Sequence, residues 1–360
     1  MGAMSEPIRV GVVGFGLAGR IFHTAVIQAT SGLELAAVVQ RSGDEAKKEY
    51  PEARLARSVE EMLTDVGIQL VVIATPSYSH FELAQQCLRE QRNVVIDKPF
   101  TLKSEEAAEL IRMARERKLL LTAYQNRRWD GDFKTVRKVI AGEELGRIVT
   151  FESHFDRFRP APRREVWRES GGPGGGTLFD LGPHVIDQAL TLFGSPESIT
   201  ASVRVERETA AVDDAWDIVL DYTQPHRMTA LLRATLTACA AGPRYVVHGT
   251  KGSFTKWGLD PQEDQLKAGM QFDAPGFGEE PGSAWGELKI CSDPGPVTRR
   301  VRTERGDYRG FYENVRDAML GKAELEVKPE QVWRTTRLIE LARESSGQGR
   351  RLKVEFSAQP

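Results

Sequence analysis

The chain has 360 residues, of which 40% are hydrophobic and 28% are charged, and its formal net charge is −2. This length exceeds what one hydrophobic core usually supports, so we expect two domains. The nearly balanced charge, with Lys and Arg scattered along the sequence, argues against a nucleic-acid-binding surface. No apolar run approaches the ~20 residues that cross a bilayer. We therefore expect no membrane span, and a small molecule is the expected partner.

The cysteines indicate the cellular compartment. Cys87, Cys239 and Cys291 are odd in number, far apart in sequence and without the spacing of a metal site. Thiols in this arrangement are typical of a reducing environment. The first residues also lack the pattern of a secretory signal peptide. Together these features predict a cytoplasmic location.

The first third of the sequence alternates between apolar runs and amphipathic segments. The apolar runs begin at residue 8 and recur at residues 33–40, 69–76, 93–100 and 119–124. Helical patterns lie between them, at residues 58–66, 80–91 and 104–117. Buried strands that alternate with helices predict a parallel sheet covered on both faces. Residues 1–124 are therefore expected to form an α/β domain.

A glycine-rich turn follows the first apolar run. In VGVVGFGLAG the glycines have the spacing G-x-G-x-x-G, directly after a strand and before a helix. The first glycine permits a tight turn, the second lets the backbone approach a pyrophosphate, and the third allows the helix to pack closely on the strand. This pattern predicts dinucleotide binding, and a turn that merely tolerates glycine is the alternative. The residues expected to contact the cofactor here are Gly14, Phe15, Gly16, Leu17, Ala18 and Gly19.

The end of the second apolar run bears on which dinucleotide is bound. An Asp or Glu there usually accepts a hydrogen bond from the ribose of NAD and would repel the additional phosphate of NADP. This sequence instead has Gln40, Arg41 and Ser42, which suit a phosphate dianion. The alternative is that Arg41 is a solvated loop residue and that Asp44 binds the ribose. NADP is therefore the predicted cofactor, with NAD possible.

Two other strand ends carry polar residues. Thr75, Pro76 and His80 follow one apolar run, and Asp97 and Lys98 follow another. Because ligands of open α/β sheets bind beyond the carboxyl ends of the strands, all five are expected to lie at the cofactor. A partly desolvated lysine ammonium suits proton transfer or polarisation of a reacting oxygen. The alternative is that Lys98 ends a strand in solvent.

The sequence pattern changes after residue 124. A helix is expected up to about residue 141, and strand-like runs follow at residues 147–155, 197–206, 215–223, 227–238 and 244–249. Alternating apolar and polar residues in these runs are typical of antiparallel strands with one covered face. The remaining expectations are long connections at 258–310, amphipathic helices at 310–320 and 330–346, and a last strand at 351–356. Residues 125–360 are therefore predicted to form an α+β domain.

A second glycine-rich stretch precedes a polar pair. The sequence SGGPGGGTLFDLGPHVIDQ contains Asp180 and His184, four residues apart. A helix that starts near Thr177 would align both side chains on one face, but it would contain Pro183. In a helix that starts at Pro183, the spacing would no longer place Asp180 and His184 on one helical face. Histidine is a natural proton acceptor near neutral pH. A metal site and a purely structural histidine are the competing interpretations; no third ligand is evident, so no metal is predicted.

The order of these motifs resembles that of the Gfo/Idh/MocA oxidoreductases. GFGLAG, DKP and GGGTLFDLGPHVIDQ occur in that order, and the resemblance extends over essentially the whole chain. Within the family, NRRWD, FESHFDRFRP and WRE followed by GGPG are similar to bacterial NADP-dependent scyllo-inositol dehydrogenases. The resemblance implies a Rossmann domain joined to an α+β domain with a large, mainly antiparallel open sheet. It also implies a homo-oligomer, either a dimer or a tetramer.

The resemblance further implies a catalytic lysine, aspartate and histidine, which correspond to Lys98, Asp180 and His184; Asp97 stands where many members have Glu. The implied reaction interconverts a secondary alcohol and a ketone on a cyclic polyol or sugar, with scyllo-inositol as the expected substrate. An NADP-dependent reductase of another sugar or ketose and a non-catalytic NADP-sensing protein are the alternatives. Polar and stacking residues expected near the cofactor are Asn126 and Arg127, and those expected near the substrate are His154, Asp156, Trp167 and Arg168.

Overall fold

The computed structural model describes residues 6–163, 165–356 and 360, which form two compact units. The first unit contains residues 6–126, 308–336 and 360, and the second contains the described residues of 127–307 and 337–356. The break near residue 126 lies close to the predicted boundary. The predicted second domain, residues 125–360, is not one contiguous stretch, however, because residues 308–336 belong to the first unit.

Aromatic packing explains why residues 308–336 belong to the first unit. The rings of Tyr124 and Phe311 pack edge to face with centroids 4.8 Å apart, and the Tyr312 hydroxyl lies 2.7 Å from His23 Nδ1. All four side chains are buried. The amphipathic pattern of residues 310–320 predicted a helix, but it could not identify the unit against which the apolar face packs.

The sheet of the first unit is parallel. Its strands are β1 (Ile8–Val13), β2 (Leu33–Val39), β3 (Arg54–Ala56), β4 (Leu70–Ile73), β5 (Asn93–Ile96) and β6 (Leu121–Ala123). They lie in the order β3-β2-β1-β4-β5-β6, and every pairing is parallel. This arrangement confirms the predicted Rossmann fold. Only β3 was not predicted, because its sequence, Arg-Leu-Ala, does not form an apolar run.

Helices separate these strands in sequence. A π-helical segment, Ala18–Thr24, runs into the α-helix Ala25–Gln28, and the other elements of the first unit are Glu45–Glu49, Val59–Leu63, a 3₁₀ turn at Ser77–Ser79, His80–Arg89, Ser104–Arg117 and Arg309–Met319. The helix Pro329–Gln348 begins in the first unit and ends in the second. Within the described ranges, no helix combines the length and apolar character that a membrane span needs.

The second unit has a nine-stranded sheet. Its strands are β7 (Ile148–Asp156), β8 (Ser198–Arg204), β9 (Ala215–Tyr222), β10 (Met228–Thr235), β11 (Tyr245–Gly249), β12 (Gly252–Lys256), β13 (Gly286–Ile290), β14 (Val297–Val301) and β15 (Leu352–Lys353). The order is β14-β13-β12-β11-β7-β10-β9-β8-β15, and only β7 and β10 pair in parallel. This sheet confirms the predicted α+β domain with a large, mainly antiparallel sheet.

Two strands lie where long connections were expected. β13 and β14 fall within residues 258–310, so that expectation was wrong for these two segments. β14 has no buried residue and therefore lacks the apolar alternation that marks a half-buried strand. It is held at the edge of the sheet by pairing with β13. The helical elements of this unit are Asn126–Trp129 (3₁₀), Gly131–Ala141, Trp167–Glu169 (3₁₀), Thr177–Phe193, Gln262–Lys267 and Gly282–Ala284 (3₁₀).

The helix Thr177–Phe193 covers one face of this sheet. Phe151 on β7 is buried, and its ring centroid lies 5.3 Å from that of Phe193 at the end of the helix. The Tyr245 hydroxyl on β11 donates to Gln188 Oε1 in the middle of the helix at 2.8 Å. Since successive strand residues point to opposite faces, residues 151, 153 and 155 of β7 share the helix-covered face.

A buried carboxyl group holds the start of the helix Gly131–Ala141. Asp260 is 5% exposed, and its Oδ2 accepts a hydrogen bond from the backbone N–H of Gly131 at 2.6 Å. Burial, together with the nearby charge of Asp132, raises the pKa of Asp260 to about 7. Because the folded protein binds this proton more tightly than the unfolded chain does, Asp260 contributes stability at low pH. That contribution is lost as the pH rises from about 4 to about 7.

We predict that Asp260→Asn changes how stability depends on pH. Between about pH 5 and about pH 8, the wild type should lose roughly 3 kcal/mol relative to the variant, since one pKa unit corresponds to about 1.4 kcal/mol and the amide cannot ionise. Scanning calorimetry of both proteins across this range measures the difference. The exposed Asp293, changed to Asn, is the matched control. Parallel curves for wild type and Asp260→Asn would contradict the prediction.

Candidate active site

The turn after β1 shows why its glycines are spaced as they are. Gly14 has a φ of +101°, and a Cβ at that position would lie 2.7 Å from the carbonyl oxygen of Ala74. A Cβ on Gly19 would lie 2.0 Å from the carbonyl oxygen of Gly14. The protein's own backbone therefore requires both glycines. A Cβ on Gly16 would meet no described atom within 4 Å, so the packing gives no reason for glycine there, whereas close approach of a ligand does.

The residues after the turn leave backbone groups available to a ligand. Leu17, which precedes the π-helical segment, provides no side-chain cap and is 61% exposed. The Phe15 ring packs edge to face on Tyr50, with centroids 6.2 Å apart, and Ala18 begins the helix. Uncapped N–H groups at a helix N-terminus carry partial positive charge that suits phosphate. The residues present therefore fit a dinucleotide pyrophosphate.

The three polar residues at the end of β2 have different surroundings. Gln40 Oε1 accepts a hydrogen bond from Ala46 N at 2.9 Å, and its Nε2 donates to Glu45, so this side chain is engaged within the loop. Arg41 and Ser42 are exposed, and Arg41 forms no ion pair with any residue that the structure describes. Arg41 is therefore available to an anion, whereas Gln40 shapes the loop.

Two other charged residues define the surroundings of Arg41. Asp44, the alternative ribose ligand, forms an exposed ion pair in which its Oδ1 lies 2.8 Å from Lys48 Nζ. The guanidinium of Arg57 donates to the carbonyl oxygens of Gln40 (3.0 Å) and Gly43 (2.5 Å), which places a second cation at this loop. Arg57 was not predicted because it follows β3, the strand that the sequence pattern did not reveal.

The polar residues after β4 divide into surface and interior groups. Thr75 and Pro76 are partly exposed, and Thr75 Oγ1 lies 2.8 Å from Ser79 Oγ. His80 is 1% exposed, with Nδ1 2.8 Å from Pro99 O and Nε2 2.9 Å from Thr75 O. Burial lowers the pKa of His80, although the charge of Asp97 opposes this effect. His80 was expected to contact the cofactor directly. Instead, both of its ring nitrogens face backbone carbonyl oxygens.

Lys98 follows β5 and is partly exposed. Its backbone N–H donates to Asp97 Oδ1 at 2.8 Å. Asp97 is 6% exposed and lies 3.7 Å from Nε2 of the buried His23. Burial by itself raises the pKa of Asp97, but the neighbouring imidazole of His23 and the charge of Lys98 outweigh it, and the pKa is lowered to about 2. Asp97 is thus a buried carboxylate that accepts a hydrogen bond from the Lys98 backbone. It was expected to contact the cofactor directly, and the structure instead places it beneath Lys98.

The structure also places the expected cofactor residues Asn126 and Arg127 in the interior. Their exposures are 6% and 7%. Arg127 Nη1 lies 3.1 Å from Asp130 Oδ2, and its Nη2 lies 2.7 Å from Glu263 Oε2. Because acids of the second unit already balance the Arg127 charge, a direct ion pair between this residue and a cofactor phosphate is not favoured.

The glycine-rich stretch leaves room for Asp213 to cap the helix Thr177–Phe193. Gly176 has a φ of +95°, and a Cβ there would lie 2.3 Å from a carboxylate oxygen of Asp213. The same carboxylate accepts a hydrogen bond from Leu178 N at 2.7 Å, and the Asp213 carbonyl accepts one from Thr177 N at 2.9 Å. Asp213 therefore satisfies the first N–H groups of the helix and fixes where it begins.

Asp180 and His184 lie on one continuous helix. Pro183 is inside Thr177–Phe193, which resolves the two alternatives in favour of a helix that starts at Thr177. The i, i+4 spacing places both side chains on the same face. Asp180 Oδ1 is 3.2 Å from Nε of Arg168, whose guanidinium carbon lies 4.5 Å from the centroid of the Trp167 ring. The second unit thus brings together four of the predicted site residues, with His184 4% exposed and Asp180 more accessible.

Buried polar contacts anchor other positions of this helix. Arg128 donates to Asp187 through two hydrogen bonds of 2.7 Å and 2.6 Å, and both side chains are buried. Gln188 donates to the carbonyl oxygen of Arg127 at 3.2 Å and accepts from Tyr245. Bidentate guanidinium–carboxylate pairs fix geometry as well as charge. These contacts fix the rotation of the helix about its own axis and therefore the direction in which the His184 side chain leaves it.

His154 and Asp156 do not join this group. Both alternate along β7 with the buried Phe155 and therefore lie on the sheet face opposite the helix Thr177–Phe193. His154 Nε2 is 3.1 Å from Glu152 Oε2 on that same face. The structure therefore does not bring these two expected substrate contacts together with His184, because the alternation predicts two faces without telling which one the helix covers.

Arg157 is a candidate that the local sequence pattern does not indicate. Its guanidinium carbon lies 4.8 Å from the Phe155 centroid, and the guanidinium forms no hydrogen bond or ion pair with any described residue. Burial lowers the pKa of Arg157, the charge of Arg127 acts in the same direction, and Glu263 and Asp180 oppose them. A half-buried guanidinium that makes no hydrogen bond to the described residues is suited to bind substrate oxygens. Its signal was present in FDRFRP, but arginine in a loop is usually a surface residue.

Comparisons with known proteins agree with this architecture. The description "Oxidoreductase family, NAD-binding Rossmann fold" matches residues 8–125, and "Oxidoreductase family, C-terminal alpha/beta domain" matches residues 137–356. The uncharacterized oxidoreductase YdgJ of Escherichia coli (strain K12) is 39% identical over 95% of this chain and 97% of its own length. The scyllo-inositol 2-dehydrogenase (NADP(+)) IolW of Bacillus subtilis (strain 168) is 35% identical over 97% of both chains.

A solved structure gives the same result at the level of the fold. The yvaA oxidoreductase of Bacillus subtilis superposes with a TM-score of 0.93 at 35% identity, covering 98% of this chain and 100% of that one. Both matched regions, together with relatives that span nearly the full length, place the two units in one family. The chain belongs to the Gfo/Idh/MocA family of oxidoreductases, with an NAD(P)-binding Rossmann domain.

Proposed function

We propose that this oxidoreductase is an NADP-dependent dehydrogenase that interconverts a secondary alcohol and a ketone on a cyclic polyol, with scyllo-inositol as the first substrate to test. The observation that carries the proposal is the pair Asp180 and His184 on one face of a continuous helix, with Arg168 beside Asp180. The name of the Bacillus subtilis relative supports the choice of substrate and cofactor. We propose Lys98, Asp180 and His184 as the catalytic residues.

The chemistry divides between the cofactor and the side chains. When bound, the nicotinamide ring supplies the hydride acceptor at its C4 atom. His184 accepts the hydroxyl proton of the substrate as the carbon–hydrogen bond breaks. The Lys98 ammonium donates a hydrogen bond to the substrate oxygen as charge develops on it, and Asp180 orients the imidazole. The roles of His184 and Lys98 can be exchanged, because two coupled groups can share one proton.

Other residues of the second unit are proposed to hold the polyol. Trp167 supplies a flat apolar surface for the ring of the substrate, and Arg168 and Arg157 supply donors for its hydroxyl groups. The guanidinium of Arg157 is suited to this role because no described residue satisfies it. Turnover of a panel of inositols, hexoses and ketoses tests the assignment and separates an inositol dehydrogenase from a reductase of another sugar or ketose.

We predict that Arg41→Asp reverses the cofactor preference. The wild type should use NADP at a higher kcat/KM than NAD, because Arg41 is exposed at the end of β2 and forms no ion pair with the described part of the chain. Loss of a charge-assisted hydrogen bond and gain of a repelling carboxylate should lower kcat/KM for NADP by about 10²-fold. Initial rates with each cofactor measure this change. Arg112→Asp, the same charge change on the exposed face of the helix Ser104–Arg117, is the control. A wild type that prefers NAD would contradict the prediction.

A non-catalytic NADP-sensing protein is the remaining candidate function. The combination of Lys98, Asp180 and His184 argues against it, because a sensor has no need of a proton acceptor. Tight NADPH binding without turnover on any polyol or ketose would favour it.

We also propose that the chain works in the cytoplasm as a homo-oligomer, a dimer or a tetramer. No disulfide is formed by its three cysteines, of which Cys239 and Cys291 are exposed. The large sheet of the second unit is the proposed subunit contact. Light scattering during size-exclusion chromatography measures the oligomer.

A further inference from the structure

The imidazole of His80 lies between two backbone carbonyl oxygens. Its Nδ1 is 2.8 Å from Pro99 O, its Nε2 is 2.9 Å from Thr75 O, and the side chain is 1% exposed. Both nitrogens therefore face backbone oxygens of the protein itself. The ring therefore acts on the backbone around it rather than on a bound molecule.

The two carbonyls belong to neighbouring strand ends. Thr75 comes shortly after β4, and Pro99 comes shortly after β5, which pairs with β4 in parallel up to Ile73 and Ile96. The ladder continues to Asp97, whose N–H donates to Ile73 O at 2.8 Å. Past that point, His80 faces one backbone carbonyl oxygen of each segment.

Lys98 lies between the fixed points of the β5 segment. On its N-terminal side, the Lys98 N–H donates to Asp97 Oδ1 at 2.8 Å, and on its C-terminal side, Pro99 O faces His80 Nδ1 at 2.8 Å. The backbone of Lys98 is therefore tied on both sides. A side chain that starts from a fixed backbone reaches a smaller set of positions, which favours a defined location for the ammonium group.

The two contacts of the ring are not equivalent. A neutral imidazole donates only one hydrogen bond, and both nitrogens donate only when the ring is protonated. The contact with Pro99 O acts on the Lys98 segment, whereas the contact with Thr75 O acts on the end of β4. Substitutions that keep one donor or the other can therefore separate the two contacts.

We propose that His80 is a positioning residue for Lys98, acting through its hydrogen bond to the Pro99 carbonyl. This inference rests on the proposed function, in which Lys98 donates to the reacting oxygen of the substrate. His80 contributes no atom to the reaction itself. Its effect is to hold the Lys98 backbone so that the ammonium reaches that oxygen.

Three substitutions test the proposal. The amide nitrogen of Asn matches the position of Nδ1, and that of Gln matches Nε2, so His80→Asn retains the donor to Pro99 and His80→Gln retains the donor to Thr75. His80→Leu retains neither. We expect kcat to fall by about 30-fold or more in His80→Gln and His80→Leu, but by no more than about fivefold in His80→Asn, since a small misplacement of a reacting group can cost about 10²-fold. The NADPH dissociation constant should stay within about threefold of the wild-type value in all three.

A structural role alone would give a different result. Equal losses of kcat in His80→Asn and His80→Gln, or a larger loss in His80→Asn, would overturn the proposal. If His80→Leu does not fold, the comparison of Asn with Gln still decides, because each variant keeps one of the two contacts.

A readout without substrate separates this inference from the proposed function. Acetic anhydride labels Lys98 at a rate that depends on the accessibility and reactivity of its amine. This rate is measured by peptide mass spectrometry relative to the exposed Lys103. We expect it to match the wild type in His80→Asn and to rise about threefold or more in His80→Gln and His80→Leu as the backbone loosens. If the wild type oxidises no polyol, the proposed function fails, and this labelling pattern still decides the role of His80. Equal labelling in all four proteins would overturn it.

Discussion

Replacing His184 or Lys98 by alanine is expected to lower kcat by about 10²-fold or more while the fold and the affinity for NADPH are retained. His184 is the proposed proton acceptor, and Lys98 the donor to the substrate oxygen. General acid–base catalysis contributes about 10²- to 10⁴-fold to enzymatic rates, so the loss of either group should appear mainly in kcat. Steady-state kinetics with the best substrate of the polyol panel measures it.

The matched control is His154→Ala. His154 is also a half-buried histidine of the second unit, but it lies on the opposite face of the sheet, where it contacts Glu152. We expect its kcat to stay within about threefold of the wild type, as is usual for residues outside the reacting groups. Near-normal turnover in both His184→Ala and Lys98→Ala would end the proposed mechanism.

The second large effect concerns the glycines of the turn after β1. Gly19→Ala should lower stability by about 3 kcal/mol or more, because the added Cβ would lie 2.0 Å from the Gly14 carbonyl and the backbone would have to move. Gly16→Ala should leave the melting temperature unchanged, because no described atom lies within 4 Å of that Cβ. It should nevertheless weaken NADPH binding by about tenfold or more, since the methyl group would occupy the space that a pyrophosphate approaches.

These two variants are each other's control. Thermal unfolding without cofactor measures the first effect, and titration of NADPH fluorescence measures the second. Normal NADPH affinity in Gly16→Ala would show that no ligand approaches this turn. Wild-type stability in Gly19→Ala would contradict the close packing at Gly14.

The sequence predicted the first unit well because its buried strands have a strong local signal. Runs such as residues 69–76 are almost entirely apolar, and the glycine spacing identifies the turn by itself. Pro183 illustrates the limit of such local signals. Propensity disfavours proline inside a helix, yet Asp213 and the buried pair Arg128 and Asp187 hold Thr177–Phe193 together.

Burial of polar residues was the main property that the sequence could not predict. His80 and Arg127 were interpreted as ligand contacts because they lie near the motifs, but contacts with residues distant in sequence place both in the interior. The opposite holds for Arg157, whose environment depends on Phe155 and on acids of two helices that are distant in sequence. Local patterns predict elements, whereas the partners of a charged group depend on tertiary packing.

The most direct test of the central claim is the formation of reduced nicotinamide during oxidation of a polyol. Purified protein is mixed with scyllo-inositol and either NADP or NAD, and the absorbance of the reduced cofactor is followed over time. The proposed function predicts a steady increase that is faster with NADP and nearly abolished in His184→Ala. The proposed function is contradicted if a protein that binds NADPH gives no increase with any inositol, hexose or related polyol. The same protein would also have to consume no NADPH with the corresponding ketoses.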